Sequence, residues 1–306
     1  MITALAGGVG AARFLQGLVK VVPEKKITVI VNTGDDIEPY GLHISPDLDI
    51  IMYTLAGIVD EEKGWGIQGD TFHCLGMLQR YGHETWFNLG DKDFATHIYR
   101  THLLRNGLSL SEATEKLCQR LGLEVRIIPM TNNKFETKIV TPKDTLHFQE
   151  YLVKRQAKDE VNDVVFEGSK TAQSAPGVVD SILNAETVII CPSNPIVSIG
   201  TILSVEGVKS AMEKTEAKVV GISPIVGGFP IKGPADRLMR GLGLEVSAYG
   251  VAELYRPFLD TFVIDQVDQA ERGRIEELGL NVVTTNTIMR DLKDKVQLAR
   301  VTLRSV

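Results

Sequence analysis

The chain has 306 residues, 43% of them hydrophobic and 24% charged, with a formal net charge of −6. That length is enough to bury a full core, and the acidic balance without a dense lysine or arginine cluster excludes a nucleic-acid surface. No apolar run approaches membrane-spanning length and the N-terminus enters a strand without a leader-like segment, so we expect a cytoplasmic protein with no membrane partner.

The first element is an apolar strand at residues 2–5, followed by Gly7-Gly8-Val-Gly10 and an amphipathic helix. Glycines let the backbone come close to a ligand, and the free N–H groups at a helix start face where an anion would sit. The pattern Gly8-x-Gly10-x-x-Arg13 lacks the third glycine of the dinucleotide fingerprint, and no Gly-Lys-Ser/Thr follows. Phosphate binding through Gly8 and Gly10 therefore stands beside a plain tight turn.

Strand 27–31 ends in Asn32-Thr33-Gly34-Asp35-Asp36. Adjacent carboxylates there suit a ribose, a divalent metal or an ordinary helix cap. At Ser45-Pro46 the proline opens a helix with Asp47 and Asp49 in its first turn. Either acid alone is a normal partner of the helix dipole. As a second carboxylate cluster, about a dozen residues beyond Asp35-Asp36, they supply enough hard oxygen for magnesium shared with substrate phosphates.

From about residue 60 to 123 the alternation of strand and helix breaks. Helical patterns at 69–80, 93–106 and 111–121, the last with Ser111 as the expected N-cap, predict a helical insertion within a single α/β domain. Further strands are expected at 125–129, 164–167, 187–191, 219–223, 261–264 and 281–284. Residues 137–140 alternate like a strand, and 145–155 fit either type. The continuous apolar strands read as buried on both faces, so the fold class is a Rossmann-like, doubly wound, mainly parallel sheet.

In such a sheet ligands gather beyond the carboxyl ends of the strands. After strand 187–191 come Pro192-Ser193-Asn194-Pro195, whose Ser193 and Asn194 suit a base edge or a self-bonded turn. The next loop runs from Ser223 through Gly227, Gly228, Lys232 and Gly233 to Pro234. Its length and apolar, glycine-rich composition point to a second anion and ring cradle with Lys232 as the point charge. No HExxH or GxSxG motif occurs, and Cys74, Cys118 and Cys191 form no CxxC pair. Zinc hydrolysis and covalent acyl transfer are thus unsupported, and the thiols are expected to be reduced.

Taken in order, Gly7-Gly-Val-Gly, Asn32-Thr-Gly-Asp-Asp, Ser45-Pro-Asp-Leu-Asp, Gly69-Asp-Thr-Phe, Leu89-Gly-Asp-Lys-Asp, Pro192-Ser-Asn-Pro and Pro224-Ile-Val-Gly-Gly resemble the 2-phospho-L-lactate transferase family of deazaflavin coenzyme F-420 biosynthesis. The resemblance implies a magnesium-dependent transfer of 2-phospholactate from lactyl-2-diphospho-5'-guanosine to the deazaflavin Fo, with GMP released. It also implies Asp36, Asp47 and Asp49 as catalytic carboxylates, Asp36 and Asp49 as metal ligands, and Asn88 and Lys92 on the deazaflavin side. Gly8, Gly10, Ser45, Ser193, Asn194, Gly227, Gly228 and Lys232 complete the expected substrate contacts, in a homodimer. Two other readings stand: a non-catalytic nucleotide-sugar-binding regulator of the same superfamily, and a nicotinamide-dependent oxidoreductase. The blocks at 69–72 and 89–93 weigh against the first, and the missing third glycine against the second.

Overall fold

The structure is a computed structural model describing residues 1–306. Twelve strands follow in chain order: β1 (Ile2–Ala6), β2 (Ile27–Val31), β3 (Arg126–Pro129), β4 (Glu136–Val140), β5 (Thr145–His147), β6 (Asp163–Glu167), β7 (Thr187–Ile190), β8 (Lys218–Ile222), β9 (Ile225–Val226), β10 (Phe229–Pro230), β11 (Thr261–Asp265) and β12 (Asn281–Thr285). Seven of them form one sheet in the order β12-β11-β8-β7-β1-β2-β3, and every pairing in it is parallel. The expected Rossmann-like α/β class is the one found.

Period-two alternation divides the core. Leu5, Ile30, Val188, Ile190, Phe262 and Ile264 face one layer, while Ala4, Ala6, Val29, Val31, Ile189 and Val263 face the other. Helix α1 (Gly8–Leu18) packs on the second face between helix α2 (Pro46–Leu55) and the C-terminal helix Leu292–Arg304. Because β1 is followed by neighbours on one side and β7 begins the run on the other, the strand order reverses between them. The crevice at this switch point lies above the carboxyl ends of β1 and β7, where the glycine turn and the Pro192 loop meet.

Residues 164–167 depart from the expected parallel sheet. They belong to β6, which pairs antiparallel with β4 in a separate three-stranded sheet ordered β5-β4-β6. Alternating burial along β4 and β6 is the physical reason: one face is covered and the other is wet, as antiparallel sheets permit. Within 145–155 both types occur, β5 and then a π-helical turn at Glu150–Lys154.

Helices α3 (His73–Arg80), α4 (Asp91–Arg105) and α5 (Leu110–Arg120) fill the stretch without strands. The cap of α5 is Ser109, not Ser111. Its side chain accepts the Glu112 N–H while Glu112 accepts from the Ser109 backbone, and Ser111 donates to Asn132 instead. All three cysteines are free, Cys118 and Cys191 buried and Cys74 exposed, and burial pushes the Cys118 thiol up to about 12.

Candidate active site

The glycine turn is locked to the neighbouring loop. Gly7 N–H donates to the buried Ser193 hydroxyl at 3.1 Å, and a Cβ on Gly10 would lie 2.2 Å from the Pro192 carbonyl oxygen. Gly8 has φ +72°, a conformation a side chain strains. Ser193 therefore braces the turn from within. Asn194 accepts from Ile196 and Val197 N–H groups at 3.0 and 3.2 Å, so its carbonyl closes the following turn, leaving only its amide N–H₂ for a base edge.

Carboxylates converge beside this turn. Asp47 is 7% exposed and accepts from the Asn32 amide at 2.9 Å; Asn32 in turn accepts from Gly34 N–H. Burial raises Asp47 to about 6 against the lowering bond from Asn32, with Asp36 adding to the rise. Asp35 is likewise pushed well above the usual carboxylate range, by burial first and then by the charge of Asp47. Asp36 accepts from Ser45 Oγ at 2.7 Å and from His43 Nε2 at 2.9 Å on one oxygen, while its Oδ1 has no partner. Burial lifts the Asp36 carboxyl, opposed by His43. Burial alone would lower His43, but the bond and charge of Asp36 outweigh it and leave the imidazole raised.

Asp49 lies on the other side of the same helical turn and accepts from both terminal nitrogens of Arg100, a guanidinium with 0% exposure. Its two oxygens thus carry a charged fork, although a carboxylate has about four lone-pair sites and Arg100 takes two. His97 lies 3.7 Å from Asp49 and 3.2 Å from Asp93, and Tyr53 donates to Asp93 at 2.7 Å.

Lys92 is exposed in the first turn of α4, and Asn88 is exposed three residues before that helix begins. Asp70 caps this helix by accepting from Lys92 N–H at 2.8 Å and Asp93 N–H at 3.1 Å, and Lys92 Nζ donates to the Gln68 carbonyl. In the glycine-rich loop, Gly227 and Gly228 have φ +60° and +79°, and Gly227 N–H donates to Asp268 at 2.9 Å. Lys232 is exposed as a residue, while its ammonium is partly desolvated. That ammonium lies beside Gly64, where an added Cβ would stand 2.9 Å away, and burial first, then the charge of Arg13, holds its pKa down.

Sequence reading left out Asn32, Asp35, His43 and Arg100 as site residues. Asp35 had a signal, as the partner of Asp36 in an acidic pair. Arg100 had none, since only the fold brings it to Asp49.

A family profile described as 2-phospho-L-lactate transferase CofD matches residues 2–302. A phosphoenolpyruvate transferase of Streptomyces coelicolor is 45% identical over 305 residues, covering 98% of this chain and 96% of the relative. A 2-phospho-L-lactate transferase of Methanocaldococcus jannaschii is 42% identical, with 98% and 96% covered. Among solved structures, protein BH3568 of Bacillus halodurans superposes with a TM-score of 0.67 at 15% identity, covering 99% of this chain and 98% of that one, a likeness of fold. The glycine turn, the acidic loops and a match along nearly the whole chain lead to one conclusion: this chain belongs to the 2-phospho-L-lactate transferase CofD family, a family of transferases.

Proposed function

We propose that this protein transfers the 2-phospholactyl group from lactyl-2-diphospho-5'-guanosine to the deazaflavin Fo, releasing GMP in coenzyme F-420 biosynthesis. The observation that carries the reading is the set of carboxylates at the switch point, Asp35 and Asp47 buried and Asp36 nearly so, with unpartnered oxygens on Asp35 and Asp36. Buried carboxylates without a cation are costly, so their free oxygens fit a divalent cation that arrives with a diphosphate. We assign magnesium to Asp36, whose Oδ1 is free, and to the lone pairs of Asp49 that Arg100 leaves open; when bound it would neutralise charge on the transferring phosphoryl group.

The chain's own groups do the rest. The turn at Gly8–Gly10 and the N-terminus of α1 receive the diphosphate, and Gly227 and Gly228 flank the nucleotide. Asp47, with a pKa of about 6, is placed to take the proton of the attacking ribityl hydroxyl near neutral pH. The hydroxyl oxygen bonds to the phosphorus bearing the lactyl group, and the bond to the GMP oxygen breaks. Asn88 and Lys92 meet the deazaflavin, and Ser45 steers Asp36.

A second donor is favoured by one finding: the Streptomyces coelicolor relative at 45% identity is a phosphoenolpyruvate transferase. Incubating the protein with Fo, magnesium and either the lactyl or the phosphoenolpyruvyl guanosine donor, with products read by chromatography and mass, tests both. No transfer from either donor refutes the function, and a higher kcat/KM for one assigns the donor. Deazaflavin absorption retained on the protein supports the transferase, whereas NADH binding would support an oxidoreductase and nucleotide-sugar binding without transfer a regulator. Light scattering tests the homodimer that we include in the proposal.

A further inference from the structure

Asp93, His97 and Arg100 occupy positions i, i+4 and i+7 of α4, one stripe of that helix, and Asp49 and Tyr53 are i and i+4 on α2. The two stripes meet in a buried polar seam. Tyr53 donates to Asp93, His97 sits between Asp93 and Asp49, and Arg100 grips Asp49 with both terminal nitrogens. Arg100 and His97 are 0% and 1% exposed. Simple packing does not explain such a seam, because a well-packed apolar pair in place of a buried ion pair is often as stable or more so.

The seam's ends give it a use. At one end Asp49 N–H donates to the Ser45 carbonyl at 2.9 Å, closing the helical turn that carries Asp47, and Ser45 Oγ reaches Asp36. At the other end Asp70 holds Lys92 and Asp93 by their backbone N–H groups. The buried fork therefore joins the turn bearing Ser45 and Asp47 to the helix that presents Lys92.

We propose that Arg100 is a positioning residue that acts through Asp49, holding the first turn of α2 in register with the glycine turn and with the start of α4. The consequence for turnover rests on the transfer reading above; the consequence for local order does not. A guanidinium fork fixes a carboxylate in direction as well as distance, which a lysine ammonium does not. Misplacing reacting groups by about 1 Å costs roughly 100-fold in rate.

Two variants test this, Arg100→Lys, which keeps the charge and loses the fork, and Tyr53→Phe, which removes one hydrogen bond from the far side of the seam. For Arg100→Lys we expect amide exchange of residues 45–50 to quicken at least about tenfold while the exchange of α1 and of the central strands stays unchanged. We also expect kcat to fall about 30- to 100-fold with both KM values within about twofold. Tyr53→Phe should move both readouts the same way by about three- to tenfold. If Arg100→Lys does not fold, Tyr53→Phe decides alone. Exchange at residues 45–50 equal to wild type overturns the proposal, as does wild-type kcat in a folded variant. A wild-type protein without transfer activity would refute the function, leaving the exchange measurement to judge the seam.

Discussion

Asp47→Asn separates the chemistry of a buried carboxylate from its cost to the fold. Burial raises Asp47 from its ordinary 3.8 to about 6, about 2 pK units or roughly 3 kcal/mol in favour of the neutral form. The sign follows from proton linkage. Because the folded pKa exceeds the unfolded one, the fold binds the proton more tightly, so stability from this group is present below 3.8 and is lost as pH rises through about 6. Above about pH 7 the full penalty of roughly 3 kcal/mol applies, and at pH 5 about half of it. Asparagine keeps the shape and can still accept from Asn32, whose amide lies 2.9 Å from Asp47, but it never ionises. In urea at pH 8 the variant should unfold about 1 M higher than wild type if the denaturant slope is about 3 kcal/mol/M, with about half that gain at pH 5. Turnover should nevertheless drop by about 100-fold or more, because the group that takes the hydroxyl's proton is gone. A midpoint at pH 8 equal to or below wild type would refute the reasoning, since it would mean that Asp47 carries its charge in the fold without penalty.

Asp36→Ala and Asp49→Ala should each remove most transfer activity at saturating magnesium; wild-type rates in both, measured by product chromatography, would end the metal assignment. Gly8→Val places a β-branched residue at φ +72° beside the expected diphosphate, so calorimetry should find no GDP binding by a soluble protein; affinity within about threefold of wild type, under 1 kcal/mol, would place the phosphates elsewhere. Lys232→Met should lower turnover at least about tenfold, roughly 1.4 kcal/mol, and affect the donor's KM more than that of Fo. If steady-state kinetics leave both unchanged, the exposed Lys232 is a solvated surface lysine whose stem covers the loop.

What the sequence by itself determined was whatever depends on neighbours along the chain. The apolar runs at 27–31 and 187–190 are continuous because both faces of a parallel strand are buried, and glycine after β1 marks a turn because few other residues adopt its backbone angles. The order of acidic and glycine blocks was legible for the same reason. The assignment of 164–167 went astray because its local pattern resembles any short strand, and only its partner β4 makes it antiparallel. Tertiary structure alone decided the partners of the charged groups. Asp49 and Arg100 are 51 residues apart, and Gly7 and Ser193 are 186 apart. Electrostatics and burial act through space, so the same first-turn acid can be a solvated dipole partner, a carboxylate raised to about 6 or one arm of a buried fork. Which of these Asp47 and Asp49 become is set by Asn32 at the end of β2 and Arg100 on α4, which the fold brings to the α2 turn.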